Sequence, residues 1–289
     1  MNKKLIFLLL IIFLLVCNPK TALSGALSGL NLWFDVIVPT LLPFMIISHL
    51  MQNVYGSSIK NPIVYALCIG VFCGFPMGAF VTCSMYQKKR LTKKTAYLLL
   101  TCCNISSPAF VISYIAMTNL KLTSFPYQIL AGVYIPVLIL AVMALFSQRK
   151  GKEAVTQEPS DLALSFEVFD YAVTESIENV LKLGVYMIIF SITASFITLL
   201  PIDYILPKCL LVGICEITTG IHYAATADIP AAILIPLVLV MNAFGGLSCA
   251  MQSMSFIRNA GLSIKKYMCQ KVLLAFLTGI TWFLLAHVL

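Results

Sequence analysis

Charged residues are scarce in this chain. They make up 10% of its 289 residues, whereas hydrophobic residues make up 60% and mean hydropathy is +0.97. An ordinary soluble domain carries about 25% charged residues, so this chain has too little polar surface to cover a core of such apolar content. This shortage excludes a soluble enzyme, a nucleic-acid-binding protein and a disordered protein. Apolar runs of about 20 residues recur along the chain instead, which indicates a polytopic membrane protein.

Residue types that build metal or redox sites are few or poorly spaced. The three histidines are scattered, and the ten cysteines include no CxxC pair and lie mostly inside apolar runs. Such cysteines are typical of small packing residues in a membrane. We therefore predict no catalytic residue, no metal site and no cofactor, while coupling to Na⁺ or H⁺ stays open. An enzyme embedded in the membrane is the weakest hypothesis, because no nucleophile and base are evidently paired.

One polar stretch divides the apolar segments into two groups. Residues 148–165 are predicted as a cytoplasmic linker, and the amphipathic residues 166–182 as a helix at the membrane interface. Residues 1–24 are predicted as an N-terminal transmembrane helix or signal anchor, with a cleaved signal peptide as the alternative. The apolar segments are 5–23, 33–53, 62–87, 95–118, 127–147, 183–200, 204–225, 231–257 and 267–287.

The basic residues indicate how these segments cross the membrane. If residues 62–87 and 204–225 are re-entrant hairpins, sixteen of the nineteen Lys and Arg residues, including Lys271, are cytoplasmic. Only Lys20, Lys121 and Lys208 then lie outside. Cytoplasmic loops of membrane proteins carry this excess of positive charge, and the hairpins are placed partly to satisfy it. The prediction is a multi-pass protein of the cell membrane with a cytoplasmic N-terminus.

This topology makes each half of the chain an inverted copy of the other. Weak local matches share an offset near 142: Gly78 falls opposite Gly220, and Ser106 falls opposite Ser248. Inverted repeats that contain broken helices are typical of secondary transporters. The predicted fold is an all-α polytopic membrane protein, an inverted repeat with two re-entrant hairpins and two broken transmembrane helices. Its repeats are residues 25–147 and 166–289.

Four apolar segments contain a polar, Gly-rich or Pro-rich interruption. The interruptions are 73–79, 104–108, 216–220 and 242–248, and the spacing from Pro76 to Ser106 equals that from Thr218 to Ser248. Irregular backbone is tolerated at membrane depth only where it is buried in protein or lines a cavity. Ser107 followed by Pro108 predicts that a helix restarts there, because serine caps helices and proline fits their first turn.

These interruptions supply the candidate site residues. Glu216 is the only acidic residue placed deep in an apolar segment, so it is a candidate for solute binding or ion coupling. The alternatives are a protonated Glu216 bonded inside the protein, glycines that only allow close packing, and asparagines that only join helices. The predicted substrate-binding residues are Asn104, Ser106, Ser107, Glu216, Thr218, Thr219, Asn242 and Ser248, and the predicted hairpin tips are Gly74, Pro76, Gly78 and Gly220.

Several of these motifs resemble one known family. The stretches 32–44, Gly74–Ala79, Asn104–Phe110, Glu216–Gly220 and Phe244–Ser248 resemble the sporulation integral membrane proteins of YlbJ type. That family carries the Gate, or nucleoside-recognition, domain and is similar to concentrative nucleoside transporters. The resemblance implies Gate-type repeats and a sporulation transporter for a small anionic aromatic solute such as dipicolinate.

The leading hypothesis is thus a transporter of a small, anionic solute. The alternative from another class is a non-transporting membrane protein that assembles or gates a larger complex, in which the four interruptions would pack together without a cavity. The expected partners are the lipid bilayer and a small solute, without nucleic acid, and self-association is left open.

Overall fold

The structure, a computed structural model, is helical throughout the residues that it describes. These are residues 3–55, 61–124, 126–150 and 163–288, and none of them forms a strand. The helices are α1 Lys3–Cys17, α2 Pro19–Asn31, α3 Val38–Val54, α4 Pro62–Cys73, α5 Met77–Gln87, α6 Lys93–Cys103, α7 Pro108–Phe110, α8 Tyr127–Lys150, α9 Phe166–Thr198, α10 Ile205–Cys215, α11 Ile217–Thr226, α12 Ala231–Phe244, α13 Gly246–Asn259 and α14 Ile264–Val288. Leu32–Ile37 is π-helical and leads directly into α3. Val111–Asn119 is also π-helical and directly follows α7.

Five described stretches are long and apolar enough to cross a membrane. They are Lys93–Asn119, Tyr127–Gln148, Phe166–Thr198, Ala231–Asn259 and Ile264–His287. This confirms the predicted all-α polytopic membrane fold. Residues 151–162 of the predicted linker, and Lys60 among the predicted cytoplasmic residues, lie outside the described residues.

Both predicted hairpins are present as pairs of short, packed helices. The arms α4 and α5 contain 12 and 11 residues, and the arms α10 and α11 contain 11 and 10. At a rise of about 1.5 Å per residue, each arm is about 15–18 Å long, half of a hydrocarbon core of about 30 Å. The arms of each hairpin pack against each other, so each hairpin can enter and leave on one face.

The two predicted broken helices are also confirmed. The first breaks between α6 and α7, where the Ser107 hydroxyl accepts a hydrogen bond from the Phe110 N–H at 3.3 Å and Pro108 opens the new helix. The second breaks at Gly245, whose φ of +84° lies in the left-handed region that favours glycine. Each break therefore lies at residues whose chemistry ends or restarts a helix.

Two predicted elements differ from the structure. The first apolar stretch is not one straight helix, because the chain bends by 96° where non-helical Asn18 separates α1 from Pro19, the first residue of α2. The predicted interfacial helix 166–182 and the span after it form one helix of 33 residues, α9. Its buried face, which includes Ala172, Val180 and Met187, stays in helical register across the predicted boundary.

Packing between the halves brings the breaks together. Helix α13 of the second half packs against α5 of the first half, and α14 packs against α6 and α8. Helix α2 packs closely against α9. An added Cβ on Gly25 or Gly29 of α2 would lie only 2.7 or 2.9 Å from the backbone of α9. The hairpin tips and the helix breaks consequently meet inside the bundle.

Candidate functional site

The first hairpin tip contacts both broken helices. Gly74 has a φ of +76°, and an added Cβ there would lie 2.9 Å from the backbone nitrogen of Ser107 in the first break. The ring of Phe75, which is joined to Pro76 by a cis peptide bond, lies against Gly245 of the second break, 2.6 Å from an added Cβ. The predicted tip residues Gly74 and Pro76 are thus at the bend.

The other two predicted tip residues lie inside the hairpin arms. Gly78 is in the first turn of α5, where an added Cβ would overlap the carbonyl group of Cys103. Gly220 is in the first turn of α11, where an added Cβ would overlap the Cα of Gly213 in the opposite arm. Both glycines therefore serve close packing, as the packing alternative expected.

Glu216 forms the bend of the second hairpin and caps α11. Its carboxylate accepts a hydrogen bond from the Thr219 N–H at 2.7 Å and another from the Thr218 hydroxyl. The side chain is buried, with 3% of its surface exposed. The Tyr114 hydroxyl donates to the Thr218 carbonyl at 2.8 Å and so ties this bend to the helix that follows the first break. Glu216, Thr218 and Thr219 are therefore one bonded unit.

Asn104 is a structural hub at the first break. Its side-chain oxygen accepts from the Ala79 N–H at 3.2 Å, which satisfies a free donor at the start of α5. Its amide nitrogen donates to the hydroxyls of Ser253 and Tyr267, both at 2.8 Å. Asn104 is fully buried, and these bonds join α5, α6, α13 and α14 at one point.

The two broken helices are joined directly through side chains. The Ser106 hydroxyl donates to the side-chain oxygen of Asn242 at 2.6 Å. Asn242 is 1% exposed, yet its amide nitrogen has no hydrogen-bond partner among the described residues. Ser248 accepts from the Gln252 amide at 3.1 Å. Buried amide donors are rarely left unpaired in proteins, so the Asn242 nitrogen is a place where an added acceptor would bind.

The four interruptions therefore lie close to one another. Gly74 touches the first break, Phe75 touches the second, Ser106 joins the two breaks, and an added Cβ on Gly246 would lie 3.3 Å from the Ile217 nitrogen beside Glu216. Among the described residues, no three His, Cys, Asp or Glu side chains gather as metal ligands would.

Lys271 is the functional candidate that sequence reasoning missed. It was placed with the cytoplasmic charges, but its side chain is fully buried on α14 and donates to the Asn104 carbonyl at 3.1 Å. Its ammonium also lies 4.9 Å from the centre of the Phe75 ring. The helical spacing of the sequence carries a signal for this burial: Tyr267, Lys271 and Leu274 share one face of α14, and all three are buried.

A polar cavity of about 270 Å³ lies beside this site. It is lined by residues of α5, α9 and α13, and none of the predicted site residues belongs to its lining. Its inner wall includes Phe80 and Phe256, whose rings meet edge to face at 5.5 Å. Phe80 directly follows Ala79, whose N–H binds Asn104, so the cavity and the Asn104 contacts share helix α5. The remaining lining residues are Cys83, Ser84, Gln87, Glu175, Glu178, Asn179, Lys182, Ser255 and Asn259.

Comparison with known proteins relates the chain to one curated protein. It is 21% identical to the sporulation integral membrane protein YlbJ of Bacillus subtilis (strain 168), over 92% of this chain and 78% of the relative. This similarity confirms the resemblance to the YlbJ type that the motifs predicted. No protein-family model and no solved structure matches the chain.

Proposed function

We propose that this protein transports a small anionic solute across the cell membrane. The observation that carries the proposal is the junction of Ser106 and Asn242, which joins two broken helices at 2.6 Å and leaves a buried amide donor unpaired. Broken helices at the interface of two repeats are where secondary transporters bind their solutes.

The electrostatics of the junction favour an acceptor-rich solute. Helix α13 begins at Gly246, directly after the break, and the described residues provide no side-chain cap for it. The uncapped N–H groups of a helix N-terminus attract anions, and the Asn242 amide is four residues before this start. The resemblance to the YlbJ type makes dipicolinate, an aromatic dicarboxylate, the first solute to test, with nucleoside-like compounds as the next.

Alternating access would come from movement of one repeat against the other. Residues 25–147 and 166–289 contain the same order of elements: a helix, a short hairpin, a broken helix and a long helix. The polar cavity would be the solute's entrance on one face, with Phe80 and Phe256 in its wall. In this scheme Glu216 senses the coupling ion, H⁺ or Na⁺, because it is the buried carboxylate at the second hairpin bend.

Uptake into proteoliposomes tests the proposal. Wild-type protein should accumulate labelled dipicolinate, and Glu216→Gln should lower the initial rate by about tenfold or more, equal to about 1.4 kcal/mol. Glu167→Gln is the matched control, because Glu167 is exposed in the first turn of α9, outside the cavity lining, and should keep the wild-type rate. Uptake driven by a pH gradient and by a Na⁺ gradient would identify the coupling ion. If wild-type protein moves no dipicolinate, other carboxylate or nucleoside, the proposal is wrong.

One observation favours the non-transporting alternative. The four breaks contact one another closely, and the cavity lies beside them instead of between them. A membrane assembly protein would show this packing without needing a solute. Co-purification of a stable partner complex from native membranes, together with unchanged function in Glu216→Gln cells, would support that alternative over transport.

A further inference from the structure

The Lys271 side chain is unusual because it is a buried cation with too few acceptors. Its ammonium has three N–H donors, and the described residues offer it the Asn104 carbonyl at 3.1 Å and the Phe75 ring at 4.9 Å. No carboxylate of the described residues pairs with it. An isolated ammonium in an apolar interior is strongly unfavourable unless further acceptors complete its shell.

The surroundings of Lys271 hold other polar groups but no balancing charge. Cys102 of α6 and Cys249 of α13 lie within electrostatic range of it, and Tyr267 is one turn earlier on α14. Glu216 also acts on Cys249, so the carboxylate and the ammonium approach this thiol from different elements. The tyrosine hydroxyl accepts from the Asn104 amide, and among the described residues it forms no hydrogen bond with Lys271.

A second buried donor without a partner lies in the neighbouring helix break. Phe75 contacts both the Lys271 ammonium and Gly245, and Gly245 is three residues after Asn242 in the second break. The Asn242 amide nitrogen has no partner among the described residues. Phe75 thus links the lysine to the break that holds this donor, and a carboxylate offers the acceptors that both groups lack.

We propose that Lys271 is the cation that binds a carboxylate group of the solute and thereby selects anions. This inference rests on the proposed transport function for its context, but it concerns binding and can be tested without transport. Phe75 positions the ammonium, and the Asn104 carbonyl holds it towards the breaks.

Ligand binding to the purified protein in detergent is the direct test. The probes are dipicolinate and its neutral analogue pyridine-2,6-dicarboxamide, and affinity is measured by calorimetry and by the rise in melting temperature. Wild-type protein should prefer the dicarboxylate. Lys271→Met should weaken dipicolinate binding by about 10–100-fold, the value of a lost charge-assisted bond, and change diamide binding little. Lys265→Met, at an exposed cation on the same helix and outside the cavity lining, should keep the wild-type preference.

The stability of the ligand-free variant separates binding from a structural role. If Lys271 serves the solute, Lys271→Met should melt at or above the wild-type temperature, because methionine fills the space without a buried charge. Equal losses for both probes with a lower melting temperature would overturn the proposal, and so would an unchanged preference for dipicolinate. Wild-type protein that binds dipicolinate through Lys271 without moving it would contradict only the transport function. Wild-type protein that binds no dipicolinate would contradict the role of Lys271.

Discussion

Asn104 shows how one side chain can hold four helices. Its bonds to Ala79, Ser253 and Tyr267 use its amide oxygen and both amide hydrogens, so little capacity remains for a solute. The sequence suggested both binding and helix joining for this residue, and the contacts favour joining. We interpret Asn104 as a positioning residue whose backbone carbonyl orients Lys271.

Replacement of Asn104 should therefore act on stability. Asn104→Leu removes three side-chain hydrogen bonds and leaves the Ala79 N–H buried without an acceptor, so it should cost about 2–4 kcal/mol. Tyr267→Phe removes a single bond and should cost about 1 kcal/mol. Thermal unfolding in detergent, followed by the fluorescence of Trp33 and Trp282, measures both. Equal melting temperatures for the two variants would contradict the interpretation that Asn104 stabilises the fold through several hydrogen bonds.

Lys271 and Glu216 show how much of a residue's environment can be predicted from the sequence alone. Glu216 stood out because it is a carboxylate within an apolar segment, but its bonds to Thr218 and Thr219 depend on the bend that only folding creates. Lys271 closely follows Lys265 and Lys266, which are predicted to lie in a cytoplasmic loop, so the sequence alone groups it with loop charges. Its burial arises from packing of α14 against α6, a long-range contact that no local pattern specifies.

At the scale of elements, equivalent glycine pairs set the geometry of both hairpins. Gly70 and Gly78 bring α4 and α5 together, and Gly213 and Gly220 do the same for α10 and α11. In each hairpin the lack of side chains lets two backbones approach closely, as small residues do in membrane helices. The two glycines are eight residues apart in the first hairpin and seven in the second, so the hairpins share a packing mode without sharing an identical register.

Replacing these glycines with alanine should destabilise the protein, which is the opposite of the usual effect of Gly→Ala in a helix. In an exposed helix interior, Gly→Ala stabilises by about 1 kcal/mol, whereas Gly78→Ala and Gly220→Ala should destabilise by about 1–3 kcal/mol because the added Cβ overlaps backbone. Gly279→Ala is the control, since its Cβ would meet only a Val240 methyl at 3.4 Å. Melting temperatures in detergent test this, and a rise for all three variants would refute the packing interpretation.

Helix breaks were predictable from sequence, whereas helix continuity was not. Pro108, Gly245 and the polar residues beside them mark interruptions because their chemistry ends or restarts a helix wherever they lie. The joining of residues 166–182 to the next span has no such local mark, because a charged helix end and a membrane span share the same periodicity. The bend at Asn18 had a signal in Pro19, but the long apolar run around it favoured one helix.

At the scale of the whole molecule, the two predicted repeats share an order of elements but differ in chemistry. Gly74 and Glu216 occupy equivalent bends, 142 positions apart, and so do Asn104 and Gly246 at the breaks. The first repeat contributes the hub, while the second contributes the carboxylate and the buried lysine.

The crossings in the second repeat determine which faces the linker and the C-terminus occupy. Between them lie α9, the hairpin of α10 and α11, the broken helix of α12 and α13, and α14. A re-entrant hairpin adds no crossing, so three crossings should separate the two points. Because the basic residues favour a cytoplasmic linker, we expect the C-terminus outside. The cavity should then open to the cytoplasm, since Asn259, the last residue of α13 on the expected cytoplasmic side, lines it.

Reporter fusions can test this topology in cells. A green fluorescent protein inserted between residues 155 and 156 should fluoresce, and alkaline phosphatase fused after Leu289 should be active, because the first folds in the cytoplasm and the second outside. With the reporters exchanged, green fluorescent protein after Leu289 should be dark and alkaline phosphatase between residues 155 and 156 should be inactive. If both positions report the same face, residues 205–226 cross the membrane once. Glu216 would then lie in a through-going span, and the inverted repeat would be wrong.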